Sequence, residues 1–174
     1  HCDATQVLGK IEQLPTADYL TFSSHKVGGP KGMGCVVLSK EIDPLIQGGP
    51  QERGSRAGTH NVSSILGFAS AISNLKYPNI ALRKLMEIEL VKMGATIIGQ
   101  DSPRLPNTIC AAFQQPGDLL TMALDLKGIA VSTGAACSSG ASKISQTLKA
   151  MNVEVLPVRF SFGPELDRKG CEYV

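Results

Sequence analysis

The sequence predicts an α/β fold, because short strand-like segments alternate with helical ones along the whole chain. Apolar runs bounded by glycine, proline or asparagine predict strands at 18–23, 33–39, 96–98, 108–113, 129–132 and 158–162. Apolar residues at helical spacing predict helices at 61–75, 80–93, 118–127 and 142–151. The chain has no internal repeat, so we expect one mixed α/β architecture with a lobe boundary near 59–62.

Length, charge and composition exclude several functional classes. The chain has 174 residues with a net charge of +2, and it contains no run of like charges. We therefore expect no nucleic-acid partner and no membrane surface, since both favour strong basic patches. No apolar stretch approaches the length of a membrane span, and the expected location is cytoplasmic. The five cysteines are scattered and lack zinc-ligand spacing, so no metal site is predicted.

The segment from Thr21 to Lys26 is the strongest chemical signal. It ends a strand expected to be buried, and the glycine-rich stretch 28–34 follows it. A lysine at the end of a buried strand favours the neutral amine that forms an imine with an aldehyde. The neighbouring hydroxyls and loop amides suit a phosphate group. Together, a reactive lysine and a phosphate-binding loop outline a pyridoxal phosphate site.

An acidic residue near the first position has two interpretations. Asp3 could face the pyridine nitrogen of the cofactor and keep it protonated, while Gln6 could donate to the ring oxygen. The same pattern also fits an ordinary aspartate at a strand end followed by a solvated glutamine. The segment precedes the lysine strand, and this order gives the chemical interpretation its weight.

A cysteine and an arginine lie in unusual sequence surroundings. Cys137 is placed among glycine, alanine and serine after a strand, where a thiolate could reach a substrate; a buried filler role fits equally well. Arg159 interrupts the apolar strand 158–162 and needs an anion. That anion could be a substrate carboxylate, or an acidic residue of the chain in a structural ion pair.

Six motifs in a fixed order resemble the cysteine desulfurases, pyridoxal phosphate enzymes of the class-V aminotransferase superfamily. They cover nearly the whole chain: His-x-Asp-Ala-x-Gln at 1–6, Ser-x-His-Lys at 23–26 leading into Gly-Pro-Lys-Gly at 29–32, Gln-Glu-Arg-Gly-x-Arg-x-Gly-Thr at 51–59, Leu-Pro-Asn-Thr at 105–108, Gly-x-Ala-Cys-Ser at 134–138 and Val-Arg-Phe-Ser-Phe-Gly at 158–163. The resemblance implies part of the aspartate aminotransferase-like fold, with residues 1–60 from the large domain and 61–174 forming the small domain.

The resemblance also implies a role for each residue. Lys26 would hold pyridoxal phosphate and later move the Cα proton, and Cys137 would take the sulfur of L-cysteine as a persulfide. Arg159 would bind the substrate carboxylate. The remaining cofactor contacts would come from Asp3, Gln6, Ser23, His25 and Thr59. Because Thr59 would reach the cofactor of a second subunit, a homodimer is implied, with a sulfur acceptor or iron–sulfur scaffold protein as partner.

The sequence departs from the family pattern at both ends. Family members carry an N-terminal half before the Asp3 motif, and they follow the last strand with Gly-Arg where this chain has Gly163 and Pro164. We therefore expect a fragment, one half of a split protein complemented by the other, or a decayed relative. Two alternatives to a desulfurase stay open: an inactive interaction module that binds a full-length desulfurase or scaffold, and a selenocysteine lyase-like enzyme.

Overall fold

The structure, a computed structural model, describes residues 1–133 and 144–173. It divides into two units, His1–Tyr77 and Pro78–Val174. The sequence placed the division near 59–62, whereas in the structure the helix α1 (Val62–Ser73) belongs to the first unit. The reason is local packing, because this helix contributes Phe68 to the buried cluster of that unit. Which family domain each unit corresponds to stays a prediction.

The first unit is built on a three-stranded sheet. Its strands are β1 (Cys2–Asp3), β2 (Tyr19–Ser23) and β3 (Gly34–Leu38), in the order β1-β2-β3. β1 runs parallel to β2, while β3 is antiparallel to it. A 3-10 turn, Ser24–Val27, follows β2 directly and ends at Gly28, whose φ of 85° is in the left-handed region that favours glycine.

The helix α1 begins at an asparagine cap, as the sequence predicts. The Asn61 side chain accepts a hydrogen bond from the backbone N–H of Ser64 at 3.2 Å, which satisfies one of the free donors of the first turn. Phe68 of α1 packs with Ala4 and Phe22 in the buried cluster of this unit. The core of the first unit is therefore small.

The expectation of two buried strands in the first unit is wrong. Only Phe22 of β2 is buried, and four of the five residues of β3 are exposed. Val37 in β3 has 55% of its surface accessible. None of the three residues of the buried cluster comes from β3. The apolar sequence of β3 therefore does not reflect burial in this unit.

The second unit contains four strands and four helices within the described residues. Its helices are α2 (Ile80–Lys92), α3 (Gly117–Asp125), α4 (Gln146–Ala150) and α5 (Arg168–Tyr173). Its strands are β4 (Thr96–Ile97), β5 (Thr108–Ala112), β6 (Ser132–Thr133) and β7 (Val158–Ser161). The strand order is β4-β5-β7-β6, and each neighbouring pair is antiparallel.

The two central strands of this sheet are buried on one face only. Ile109 and Ala111 of β5, with Val158 and Phe160 of β7, form a core together with Met86 and Leu90 of α2. Since side chains alternate along a strand, the residues between them face the other way. Arg159 is one of these, and it is only partly buried.

A buried group of charges fixes the loop before β5. Glu87 lies 2.8 Å from Arg104 Nη1 and 3.3 Å from Arg83 Nε, and all three side chains are largely buried. Arg83 Nη1 also donates to the carbonyl of Leu105 at 2.9 Å. The Leu-Pro-Asn-Thr motif is therefore tied to α2, which sets where β5 begins.

Among the helices of the described residues, none combines the length and the apolar character that crossing a membrane requires.

Candidate active site

The parallel pairing of β1 and β2 brings two predicted site segments to one edge of a sheet. Asp3 is the register partner of Thr21, so the carboxyl ends of both strands lie at the same edge. The 3-10 turn with His25 and Lys26 follows β2 there, and the turn with Gln6 follows β1. Lys10 Nζ is 3.5 Å from the Lys26 carbonyl oxygen, which shows that the two segments meet.

The side chains at this edge form a polar face. Phe22 points into the core, so Thr21 and Ser23 point to the opposite face of β2. Asp3 shares the face of its register partner Thr21, because paired residues of neighbouring strands point the same way. A carboxylate and two hydroxyls therefore stand on one face, next to the turn that carries an imidazole and an amine.

The predicted burial of the lysine is wrong. Lys26 is exposed on the 3-10 turn, as are Asp3, Gln6 and His25, while Ser23 is partly buried. The strand ahead of the turn is half-buried rather than buried, so the turn stands open on the surface of this unit. The amine is accessible from solvent in the described chain.

The charge of Asp3 is set by its neighbour Thr5. The hydroxyl of Thr5 and its backbone N–H, 3.0 Å from Asp3 Oδ1, hold the pKa of this carboxyl below its usual value. Because the pKa is depressed, the group is a carboxylate at every pH above that value. A protonated pyridine nitrogen requires a negatively charged partner. The carboxylate of Asp3, held ionised by Thr5, therefore fits the ring of pyridoxal phosphate.

The glycine loop packs directly on the turn that carries the lysine. Gly29 donates its N–H to the Ser24 carbonyl at 3.1 Å. A Cβ at Gly29 would collide with Ser24 Oγ, so no larger residue fits there without a shift. The glycine therefore allows the close approach that shapes this edge.

We predict that Ser24→Ala stabilises the protein. Ser24 is fully buried, and its hydroxyl has no hydrogen-bond partner among the described residues. Removing an unpaired buried hydroxyl should raise the free energy of unfolding by about 1 kcal/mol. Urea denaturation measures this change, and Ser23→Ala is the matched control because Ser23 is only partly buried. An unchanged or lower free energy of unfolding of Ser24→Ala relative to the unsubstituted protein would contradict the prediction.

The loop that contains Thr59 is held by its own side chains. Gln51 Oε1 accepts the N–H of Gly58 at 3.1 Å, and Arg56 Nη1 donates to the Gly58 carbonyl at 3.0 Å. Glu52 lies 3.1 Å from His60 Nε2. These contacts hold the two neighbours of Thr59 in the chain, whereas Thr59 itself is exposed.

Two residues of this loop have a strained backbone. Glu52 and Arg53 adopt φ values of 49° and 57°, a left-handed conformation that costs non-glycine residues free energy and recurs at functional sites. The strain is consistent with a loop whose conformation serves a functional contact. The role of Thr59 toward a cofactor phosphate stays a prediction.

Arg159 lies in the second unit, between a cysteine and a serine. Its register partners are Cys110 on β5 and Ser132 on β6. No ion pair or side-chain hydrogen bond between described residues includes Arg159. The alternative of a structural ion pair therefore finds no acidic partner in the described part of the chain.

The predicted nucleophile Cys137 lies outside the described residues, on the stretch between β6 and α4. Two residues with clear contacts, Thr5 and Cys110, do not stand out in the sequence. An Asp-x-Thr pattern, in which the side chain of the first residue accepts the N–H of the third, could have indicated Thr5. Only the strand register reveals Cys110, because it is 49 residues from Arg159 in sequence.

The comparisons with known proteins identify the family. The family model described as aminotransferase class-V matches residues 1–174, and the chain belongs to this family. A cysteine desulfurase of Klebsiella pneumoniae is 37% identical over 100% of this chain and 48% of its own length. The chain thus spans about half the length of the curated relatives it matches.

Solved structures agree with this assignment. A NifS-like protein has a TM-score of 0.81 at 34% identity, covering 99% of this chain and 49% of that one. SspA, solved in complex with cysteine, has a TM-score of 0.68 at 26% identity, covering 93% of this chain and 49% of the SspA chain. The predicted fold, part of a pyridoxal phosphate-dependent transferase, is confirmed.

Proposed function

We propose that the protein is a cysteine desulfurase that uses pyridoxal phosphate to convert L-cysteine into L-alanine and forms a persulfide on Cys137. The relatives that match the chain at 37–38% identity are cysteine desulfurases. The observation that carries the proposal is the pairing of β1 with β2, because it joins the segments of Asp3 and Lys26 at one sheet edge.

The cofactor would be held by residues of the first unit. Lys26 would bind it covalently, Asp3 would pair with the ring nitrogen, and Gln6 would donate to the ring oxygen. Ser23, His25 and the Thr59 of a second subunit would hold the phosphate. When bound, pyridoxal phosphate supplies an electron sink for the charge that develops at the substrate Cα.

The protein residues would then perform three tasks. The Arg159 guanidinium binds the carboxylate of L-cysteine, and the Lys26 amine removes the Cα proton. The Cys137 thiolate attacks the substrate sulfur, so that an S–S bond forms as the Cβ–S bond breaks. The net change converts one L-cysteine and the Cys137 thiol into one L-alanine and a persulfide.

The wider setting of the reaction is also proposed from the family. The role of Thr59 requires a homodimer with shared active sites. The persulfide would pass to an acceptor protein such as an iron–sulfur cluster scaffold, in the cytoplasm. A selenocysteine lyase-like enzyme and an inactive interaction module are less favoured, because the relatives named above are cysteine desulfurases.

The direct test is product formation by the purified protein with pyridoxal phosphate and a reductant. L-cysteine should give alanine and sulfide in equal amounts, and it should be consumed faster than L-selenocysteine. A visible absorption band from lysine-bound cofactor without any alanine would instead support the interaction module. Faster turnover of L-selenocysteine would favour the lyase.

We predict that Arg159→Ala raises the KM for L-cysteine and leaves folding intact. Losing a charge-assisted contact to the carboxylate should lower kcat/KM about 10- to 100-fold. Arg159→Lys keeps the charge but not the planar fork, so it should recover part of the loss. Steady-state kinetics and thermal unfolding measure the two effects. An unchanged KM with a lower Tm would show that Arg159 is structural.

A further inference from the structure

We propose that Cys110 and Ser132 belong to the carboxylate site of Arg159, so that a bound carboxylate lies between the thiol and the hydroxyl. The identity of the ligand, an amino-acid carboxylate, rests on the proposed function. The site itself rests on the register of three strands and on the distribution of charge over one face of their sheet.

The strand register places the three side chains together. β7 lies between β5 and β6, and Arg159 is directly opposite Cys110 on one side and Ser132 on the other. Residues directly opposite in antiparallel strands point to the same face, with Cβ atoms about 5 Å apart. The guanidinium therefore leaves the sheet between a thiol and a hydroxyl.

Burial identifies the face on which these residues lie. Ile109, Ala111 and Val158 have no exposed surface and face the core. The residues that alternate with them are on the open face, and all are at least partly accessible. In β5, β6 and β7 this face presents Thr108, Cys110, Ala112, Ser132, Arg159 and Ser161.

Among the described residues of β5, β6 and β7, this face carries one charge and no carboxylate. All of its residues other than Arg159 are neutral alanine, serine, threonine or cysteine side chains, so nothing on these strands cancels the guanidinium. Small side chains also leave room beside it. A cation surrounded by small polar groups is a site for an anion of similar size, and a carboxylate can accept from both the guanidinium and a hydroxyl.

The thiol remains neutral and close to the cation. Burial raises the pKa of Cys110, and the positive charge of Arg159 opposes this by lowering it. The register, which places Cys110 directly opposite Arg159, accounts for this opposing effect. A protonated thiol does not compete with a carboxylate for Arg159, which leaves the charge available.

Two alkylating reagents of nearly the same size test the site without any enzymatic activity. In both, a cysteine thiolate attacks the CH₂ group, a C–S bond forms and iodide leaves, but iodoacetate carries a carboxylate and iodoacetamide does not. We expect the iodoacetate-to-iodoacetamide rate ratio at Cys110 to exceed that at Cys171 by about tenfold or more. Cys171 is the low reference, because Asp167 and Glu172 act on it electrostatically and repel an anion, and the comparison with Arg159→Met separates this repulsion from attraction by Arg159.

Site-resolved mass spectrometry of the alkylated peptides measures the two ratios. Arg159→Met should lower the Cys110 ratio about tenfold, and L-alanine should slow alkylation at Cys110 only. Equal ratios at the two cysteines in the unmodified protein would overturn the proposal. Because no turnover is needed, this result is independent of whether the protein forms alanine from L-cysteine.

The role of Ser132 has its own comparison. Ser132→Ala should weaken the protection by L-alanine about three- to tenfold, the effect of one lost hydrogen bond. Ser161→Ala removes a hydroxyl two residues along β7 from Arg159 on the same face, and it should leave the protection unchanged. Equal effects of both substitutions would remove Ser132 from the site.

Discussion

Replacing Lys26 by alanine should abolish covalent attachment of pyridoxal phosphate and lower desulfurase activity at least about 1000-fold. Lys26 is the only lysine in the Ser-x-His-Lys motif, on the turn that directly follows β2. Without its amine, no group of that turn can bond to the cofactor aldehyde or move the Cα proton. The visible absorption band of lysine-bound cofactor should be lost, which spectroscopy measures before any substrate is added.

The matched control is Lys31→Ala. Lys31 is exposed on the same glycine-rich loop, so this change removes one positive charge a few residues away. The control should keep the absorption band, and borohydride reduction followed by peptide mapping should locate the cofactor on Lys26. If the Lys26→Ala protein retained the band, or if mapping found the cofactor on another lysine, the assignment would be wrong.

Replacing Cys137 by serine should stop persulfide formation while cofactor binding stays unchanged. A serine hydroxyl is not ionised near neutral pH and is a poor nucleophile toward sulfur, whereas a cysteine thiolate attacks it readily. We expect the yield of persulfide and of sulfide to fall at least about 100-fold. Mass spectrometry after addition of L-cysteine detects the extra sulfur on the Cys137 peptide.

Cys35→Ser provides the control for this substitution. Cys35 is an exposed free thiol on β3. If an accessible thiol were enough to receive the sulfur of L-cysteine, Cys35 would also become a persulfide. Its replacement should leave both the persulfide and the alanine yield unchanged. Persulfide formation by the Cys137→Ser protein, on Cys35 or another cysteine, would remove Cys137 from the mechanism.

Local sequence patterns predicted most of the secondary structure. The helices predicted at 61–75 and 80–93 correspond to α1 and α2, and the strand predicted at 108–113 corresponds to β5. These segments carry strong signals in their own residues, such as the Asn61 cap and the glycine at position 94 with φ of 89°. The helix predicted at 142–151 begins at Gln146 in the described residues, and α5 was not predicted.

Burial was predicted less well than secondary structure. The apolar sequence of β3 is the same whether or not another element covers it, so the sequence cannot distinguish a buried strand from an exposed one. The same holds for Lys26, which follows an apolar strand and is nevertheless exposed. Exposure depends on which elements pack against a strand, and this is a property of the assembled fold.

The sequence by itself determined which chemical groups this protein carries, because the motifs around Lys26, Cys137 and Arg159 are read from neighbouring residues. Only the tertiary structure decided which distant residues stand beside them. Strand pairing joins Asp3 to the lysine segment and sets Cys110 and Ser132 on either side of Arg159. Register between strands is fixed by long-range packing and hydrogen bonding, so no local pattern could have specified these neighbours.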